Sequence, residues 1–462
     1  MTEEDIKALI AENASLRTHV TALQEQVAQL RGQLEAALVR IAELEQQEKK
    51  PPPFVKRNRP PRTEPPKPRK KRASKHNRSR KREEPTRIER HALESCPDCN
   101  YRLRGESVDY TRQVIEIPAP QPVEVIEHQV IKRWCPHCEG WRSPQLDLSG
   151  QVIGQRRMGV RIASLVSYLR TTLRLPVRQV KGYLETLHNL RLSVGEIVEL
   201  THAVREELQP QAEGLKEQVQ TSKVVHGDET GWREDGRNGY VWAFVTDGPE
   251  AVRYFEYDRS RGHQVAKRIL GDDFAGWLVT DFYSAYNLIL CQHQRCWAHL
   301  LRDLHGLKEA HAEEAEVVSW AQEVRRLHDD AQVWLKEHPA ATPQERQDAY
   351  DDLFKRAGAL GLAYALDYEH PCCALAKRLM RHQDELFQFV LVPGLPADNN
   401  LAERSLRPLV VLRKISGGSR SDRGTKTRLA LASLFGTWAA RNLNPFIQCL
   451  TALRHPPATA PP

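Results

Sequence analysis

The chain has 462 residues, 40% of them apolar, with nine cysteines and a formal net charge of +8; that length allows two to four domains and at least one large core. No apolar run reaches membrane-spanning length and the opening MTEEDIK is acidic rather than signal-like, which argues against membrane and secreted classes and predicts a cytoplasmic protein. Residues 49 to 90 hold 18 Lys/Arg against 4 Asp/Glu, an excess larger than that of the whole chain, so the basicity is one segment, a handle for a polyanion.

Residues 6 to 44 repeat every seven positions, with Ile6, Asn13, Val20, Val27, Leu34 and Ile41 in one row and Leu9, Leu16, Leu23, Leu30, Ala37 and Leu44 three residues later. This predicts a leucine-zipper coiled coil over 1–48. Branched residues in the first row and Leu in the second favour a parallel homodimer, with Asn13 as the polar intrusion that fixes register. Residues 49–92 are basic and proline-rich with almost nothing to bury, which predicts a disordered linker. Its Arg69, Lys70, Lys71 and Arg72 are candidates for phosphate contact without sequence preference. A zipper regulator would carry a continuous basic helix before its zipper, whereas this tract follows it and is broken by proline.

Cys96-Pro-Asp-Cys99 and Cys135-Pro-His-Cys138 offer four thiolates to one closed, structural zinc site, so 93–150 is expected to be a small zinc-binding β module. Between the pairs, TRQVIEIP and PVEVIEHQVIKRW alternate like the strands of a hairpin. Residues 151–220 turn helical in period. Within them LPVRQVKGYLETLHNLRLSVGEIVELTHAV predicts helix, turn, helix, with Ser193 and Glu196 as a capping box. Either a DNA-reading helix-turn-helix or a plain helical bundle fits that pattern.

From 223 onward the pattern is strand (KVVHGDETGW), strand (GYVWAFVTD), strand (VRYFEYD), helix (GHQVAKRIL), strand (WLVTD). Three antiparallel strands, a helix and a further strand open a ribonuclease H-like α/β fold, expected over 221–436, with Asp228 in the leading strand and Asp281 ending the fourth. Residues 306–392 are helical in period, as in Val317, Trp320, Val324, Leu327, Ala331 and Trp334, and predict a helical insertion. Beyond it DNNLAERSLRP supplies Glu403, with Asp384, Glu385 and Asp398 as rivals; Glu403 also has a bland reading, reaching back to an Asn400 cap. Carboxylates so placed can converge on a pair of divalent cations, the arrangement a phosphodiester needs if water or a 3′-hydroxyl is to attack it. Cys296, Trp297 and His299 are expected to support that site, since a lone CxxH lacks two ligands for a second zinc. Arg404, Arg407, Arg413 and Lys414, with the SGGSRSDRG loop, are expected to clamp phosphates. Residues 437–462 add a C-terminal helical segment and tail, which completes a multidomain α+β chain.

HGDETGW, TDFYSAY, RCWAHLLRDL, DNNLAERSLRPLVVLRK, GGSRSDRG and AARNLNPFIQCL closely resemble the corresponding stretches of transposases of the insertion sequence 66 family. The resemblance covers nearly the whole chain apart from the linker. It implies a bacterial, nucleoid-associated DD(E/D) transposase in which Asp228, Asp281 and Glu403 hold two Mg²⁺ ions for DNA cleavage and strand transfer. It also implies element terminal inverted repeats and target DNA as partners, with small accessory proteins from the same element. The competing reading is a domesticated, non-catalytic, sequence-specific DNA-binding protein; a ribonuclease H-like nuclease without strand transfer is a third.

Overall fold

A computed structural model describes residues 82–455 together with Val27, Arg31 and Leu34. Apart from those three positions, the expected coiled coil over 1–48 lies outside the described residues, as does the basic tract with Arg69, Lys70, Lys71 and Arg72. The chain divides into two units, residues 1–116 and 117–462.

In the first unit a tight turn surrounds Cys96 and Cys99. The Cys96 amide donates to the Tyr101 carbonyl at 2.9 Å, the Asn100 amide to the Cys96 carbonyl at 2.8 Å, and Asn100 takes a left-handed φ of 58°. The second unit repeats this device between β1 (Arg133–Cys135) and β2 (Gly140–Arg142), an antiparallel pair in which Trp134 faces Trp141. The residue after the second cysteine, Glu139, again has positive φ, at 44°. The hairpin expected between the cysteine pairs is not formed. Neither TRQVIEIP nor the stretch up to Lys132 is a strand, and Val114, Ile117 and Val125 lie exposed. Alternation specifies a strand only where one face is buried and a neighbour completes the ladder. The connecting PAPQP, with three prolines, cannot make the two-residue turn that would join them.

Four helices follow: α1 (Val160–Thr171), α2 (Val177–His188), α3 (Val194–Glu207) and α4 (Gln209–Gln220). The Ser193 hydroxyl accepts from the Glu196 amide at 3.1 Å while the Glu196 carboxylate accepts from the Ser193 amide at 2.7 Å, so the capping box is complete. Helix α3 buries Ile197, Leu200, Ala203 and Val204 and leaves Glu196, Glu199 and Glu206 outward. On that outward face Glu199 and Glu206 meet Arg423 from a later segment.

The central sheet contains β3 (Val224–Glu234), β4 (Arg237–Val245), β5 (Arg253–Asp258), β6 (Trp277–Thr280) and β7 (Gln292–Arg295) in the order β5-β4-β3-β6-β7. The first three are antiparallel neighbours; β6 and β7 run parallel to β3. Helix α5 (His263–Leu270) bridges β5 to β6, and a short 3-10 helix (Ser284–Leu288) leads toward β7. Helix α6 (Trp297–Ala310) is followed by α7 (Ala315–Glu337), α8 (Pro343–Tyr364), α9 (Cys373–Arg381), α10 (Gln383–Leu386) and α11 (Gln388–Leu391). Then come α12 (Asn400–Ser416), α13 (Asp422–Ala440) and α14 (Pro445–Arg454).

Three apolar clusters fix these layers. Trp232, Val241, Ala243 and Val245 meet Leu406, Leu409 and Leu412 of α12 on one face of the sheet. Trp242, Phe244 and Leu278 on the other face join α1 to α5, α13 and α14. Helices α6 to α11 make a third core around Trp297, Trp320, Val324 and Leu379, contiguous with Val279. Helices, rather than further strands, lie against both outer strands of the sheet. On β5 the Phe255 amide donates to Ser433 Oγ and the Arg253 amide to Thr437 Oγ1, both at 2.9 Å, from successive turns of α13. On β7 the Gln294 amide group bonds the Leu386 carbonyl and the Phe389 amide. On β5, satisfying these two backbone donors blunts the edge that an exposed strand would offer to another chain.

Candidate active site

Asp228 sits mid-strand in β3 and Asp281 follows the last residue of β6. The parallel register pairs His226 with Val279 as its last rung, and Asp228 and Asp281 each follow two residues later in their own segments. Alternation along β3 puts the Asp228 carboxylate on the face that α12 covers, and Asp281 lies near enough for its charge to reach it. Asp281 is held there by an Asx turn, in which the Tyr283 amide donates to its Oδ1 at 2.9 Å. From below, Arg295, fully buried, donates to the Asp281 carbonyl at 3.1 Å and to Thr280 Oγ1 at 3.0 Å.

Glu403 comes from the first turn of α12. The N-cap of that helix is Asn399, not Asn400 as the spacing suggests, and its side chain makes no capping bond. Asn399 instead ties three elements together. Its Nδ2 donates to the Gly227 carbonyl at 2.7 Å and its amide to Cys296 Sγ at 3.1 Å. Its Oδ1 lies 3.1 Å from His226 Nδ1; burial pushes His226 down to about 4, so the ring is neutral and Nδ1 is the donor. Asp398 supplies the local cap, accepting from the Asn400 amide at 3.0 Å. Glu403 therefore has no capping duty. Its Oε1 is buried without a hydrogen-bond partner, 3.5 Å from His299 Nε2 and 3.7 Å from Arg302 Nη2.

The electrostatics mark the same place. Burial, then the charges of Glu229 and Asp281 and more weakly Glu403, push the Asp228 carboxyl up to about 8, against the Glu229 amide that stabilises its anion. Asp228 thus feels the charges of both other carboxylates, although among the described residues no three of His, Cys, Asp and Glu stand at metal-sharing distance. A buried acid with a raised pKa, beside a second acid and an orphaned carboxylate oxygen, is a donor set suited to divalent cations.

Among the rivals for the third position, burial raises Glu385, but bonds from His382 and Arg295 outweigh it and hold the carboxylate at about 2. Asp384 is exposed on α10. The support group divides by role. Trp297 is core, its indole donating to the Leu386 carbonyl at 2.6 Å. Cys296 ties β7 to the start of α12, and His299 faces Glu403. Arg404, Arg407 and Lys414 are exposed, whereas Arg413 is turned inward to the Gly231 carbonyl and Thr230. In the SGGSRSDRG loop the Gly417, Ser419 and Gly424 amides already have partners within the protein. Its Ser419 amide donates to the Arg233 carbonyl at 2.8 Å, Trp232 bonds Ser419 Oγ, and Gly418 passes so close to Arg233 that a Cβ would lie 2.0 Å from its carbonyl oxygen. Arg423 pairs with Glu199 and Glu206 of α3.

Sequence reasoning overlooked Glu229 and Asn399. Glu229 directly follows Asp228 but faces the opposite side of the sheet, where it meets Arg261 and Tyr286. In the cysteine knuckles, the amides of Asp98 and then Cys99 hold Cys96 below the ordinary thiol value, and Cys135 is lowered likewise, first by Cys138. Such N–H to sulfur bonds stabilise thiolates, the form a metal takes.

Residues 155–427 match the family described as Transposase IS66 family, and residues 94–139, which include all four knuckle cysteines, match the zinc-finger binding domain of transposase IS66. The chain is 27% identical over 275 residues to uncharacterized protein y4qI of Sinorhizobium fredii (strain NBRC 101917 / NGR234), covering 52% of this chain and 49% of that protein. It is 32% identical over 151 residues to uncharacterized protein y4jO of the same strain, covering 31% of this chain and 43% of the relative. The matches thus span about half the length of these curated relatives or less. With three-fifths of its length matched to one family and the zinc-finger domain of the same family before it, the chain belongs to the IS66 transposases.

Proposed function

We propose that this protein is an active DNA transposase that cleaves the ends of an insertion sequence and joins them to target DNA, using Asp228, Asp281 and Glu403 as ligands for two Mg²⁺ ions. The observation that carries the reading is the parallel register of β3 on β6, which brings the segments leading into Asp228 and Asp281 side by side in a sheet that α12, the helix of Glu403, packs against. The strand order, β3 flanked by antiparallel β4 and parallel β6, supports a ribonuclease H-like architecture for this region.

When bound, the ions would supply an activated oxygen nucleophile and charge neutralisation at the leaving oxygen. The protein's own part is positional. Arg295 and the Tyr283 amide fix Asp281, Asn399 fixes the start of α12 against β3, and His299 and Arg302 steady Glu403. Arg404 and Arg407, one and four residues after Glu403 and exposed, can hold phosphates beside the reacting one. Nothing here calls for a covalent protein intermediate.

In the same reading Cys96, Cys99, Cys135 and Cys138 hold one structural zinc, supported by two knuckles of like geometry and by the zinc-finger match. The heptads of 1–48 would pair two copies in parallel, so that two active sites serve two element ends. The basic linker would add affinity without sequence preference. No described helix is long and apolar enough to cross a membrane.

The test is a cleavage and joining assay with full-length protein, Mg²⁺ and element-end DNA. Strand-transfer products that disappear in Asp281→Asn support the reading. Cleavage without joined products would assign a nuclease, and DNA binding without cleavage would assign a non-catalytic binder.

A further inference from the structure

The face of the sheet opposite Asp228 carries a closed set of contacts that ends on Asp281. Glu229, with its side chain 3% exposed, accepts from both Nε and Nη2 of Arg261 at 2.9 and 2.6 Å, and from the Tyr286 hydroxyl at 2.6 Å. The Arg261 guanidinium lies 4.0 Å from the Tyr283 ring centroid, and the Tyr283 hydroxyl donates to the Arg261 carbonyl at 3.0 Å. Tyr283 and Tyr286 meet edge to face at 6.2 Å. The amide of that same Tyr283 holds Asp281 Oδ1. The turn that aims Asp281 is therefore clamped, through one tyrosine, to a residue adjacent to Asp228 in β3.

We infer that Arg261 is a positioning residue for metal binding: by gripping Glu229 and Tyr283 together, it keeps the Asp281 turn in register with Asp228. Asp281 lies in a turn at a strand end, the part of the site free to swing away. Two guanidinium donors converging on one oxygen of a buried carboxylate, with the guanidinium stacked on an aromatic ring, resist that motion where a single flexible ammonium would not. Arg261 itself lies on the other side of the sheet from the three acids, so its effect travels through Tyr283. Its side chain is 44% exposed, which leaves a direct phosphate contact as the rival role.

The inference rests on the proposed metal site, and the experiment separates the two. Mn²⁺ binding to full-length wild type, Arg261→Met, Arg261→Lys and Tyr283→Phe is measured by calorimetry without DNA. DNA affinity is measured in EDTA, and strand cleavage is followed against Mg²⁺ concentration. Loss of a group that orients a ligand typically weakens metal affinity about 10- to 100-fold. Arg261→Met is expected to fall in that range. Tyr283→Phe, which loses one hydroxyl and keeps the ring, should weaken binding a few-fold, and Arg261→Lys should recover only part of the loss. The Mg²⁺ concentration for half-maximal cleavage should rise while the rate at saturating Mg²⁺ changes little and DNA affinity is unchanged. Unaltered Mn²⁺ affinity in both Arg261→Met and Tyr283→Phe overturns the inference, as does a fall in DNA affinity that Arg261→Lys restores. If Arg261→Met fails to fold, Tyr283→Phe alone decides. Wild-type protein that takes up no Mn²⁺ removes the parent reading, and the inference with it.

Discussion

Replacing Asp228 by Asn should make the metal-free protein more stable at alkaline pH while abolishing cleavage. In the folded state burial and the neighbouring acids raise this carboxyl from 3.8 to about 8, so the native protein keeps a proton that the unfolded chain releases. A group raised in this way contributes stability that is full below about pH 4 and is lost as pH rises through about 8. The slope is about 1.4 kcal/mol per pH unit while the two states differ by one proton. Across a window of about four units this amounts to on the order of 5 kcal/mol, or on the order of 10 °C in melting temperature. Asparagine has no proton to lose and removes that slope. Thermal melts in EDTA at about pH 5 and about pH 9 test it, because other titrating groups affect both proteins alike and cancel in the difference. Mg²⁺ should restore wild-type stability at the higher pH and do little for Asp228→Asn. Parallel pH profiles for the two proteins would refute the reasoning.

Glu403→Gln should lower Mg²⁺-dependent cleavage on the order of a thousandfold, about 4 kcal/mol of transition-state stabilisation, with folding and DNA binding intact. Asp398→Asn, which touches only the start of α12, should cost about 1 kcal/mol of stability or less and keep most activity; the reverse pattern in a cleavage assay would move the third ligand to Asp398. Thr437→Val keeps the shape of the side chain but strips the partner from the Arg253 amide, so a denaturant melt should show a loss of about 1–3 kcal/mol. Protein purified without chelator should contain one zinc per chain by elemental analysis, and Cys96→Ser should lose it together with order in residues 93–142; metal-free wild type would end that assignment.

What could be read from the sequence follows locality. The buried stripe Val317, Trp320, Val324 and Leu327 lies along one face of one helix, and period alone finds it. The box at Ser193 and Glu196 spans three residues. Asp228 and Asp281 were legible because one sits in an apolar strand and the other directly after one, although only the β3–β6 register shows that these strands are neighbours. Contacts between distant segments left no mark. Nothing near Asn399 announces that it will bond Gly227 and Cys296, and Ser433 and Thr437 look like ordinary helix residues until β5 lies beside them. Glu229 was hidden by its neighbour, since consecutive strand residues serve opposite faces. The alternating stretches before Lys132 misled in the other direction, because their pattern was right for a strand and the pairing partner was missing.

The long helical excursion between β7 and α12 also sets an order in time. On the proposed reading, a ribosome that has already made Asp228 and Asp281 must add more than a hundred further residues before Glu403 exists. At typical elongation rates that delay is on the order of ten seconds. During it the cysteine knuckles and the helical bundle are already outside the tunnel. A nascent chain would thus be able to engage DNA near its own gene well before it could cut, and a message truncated within the excursion would yield a product with two acids and no third.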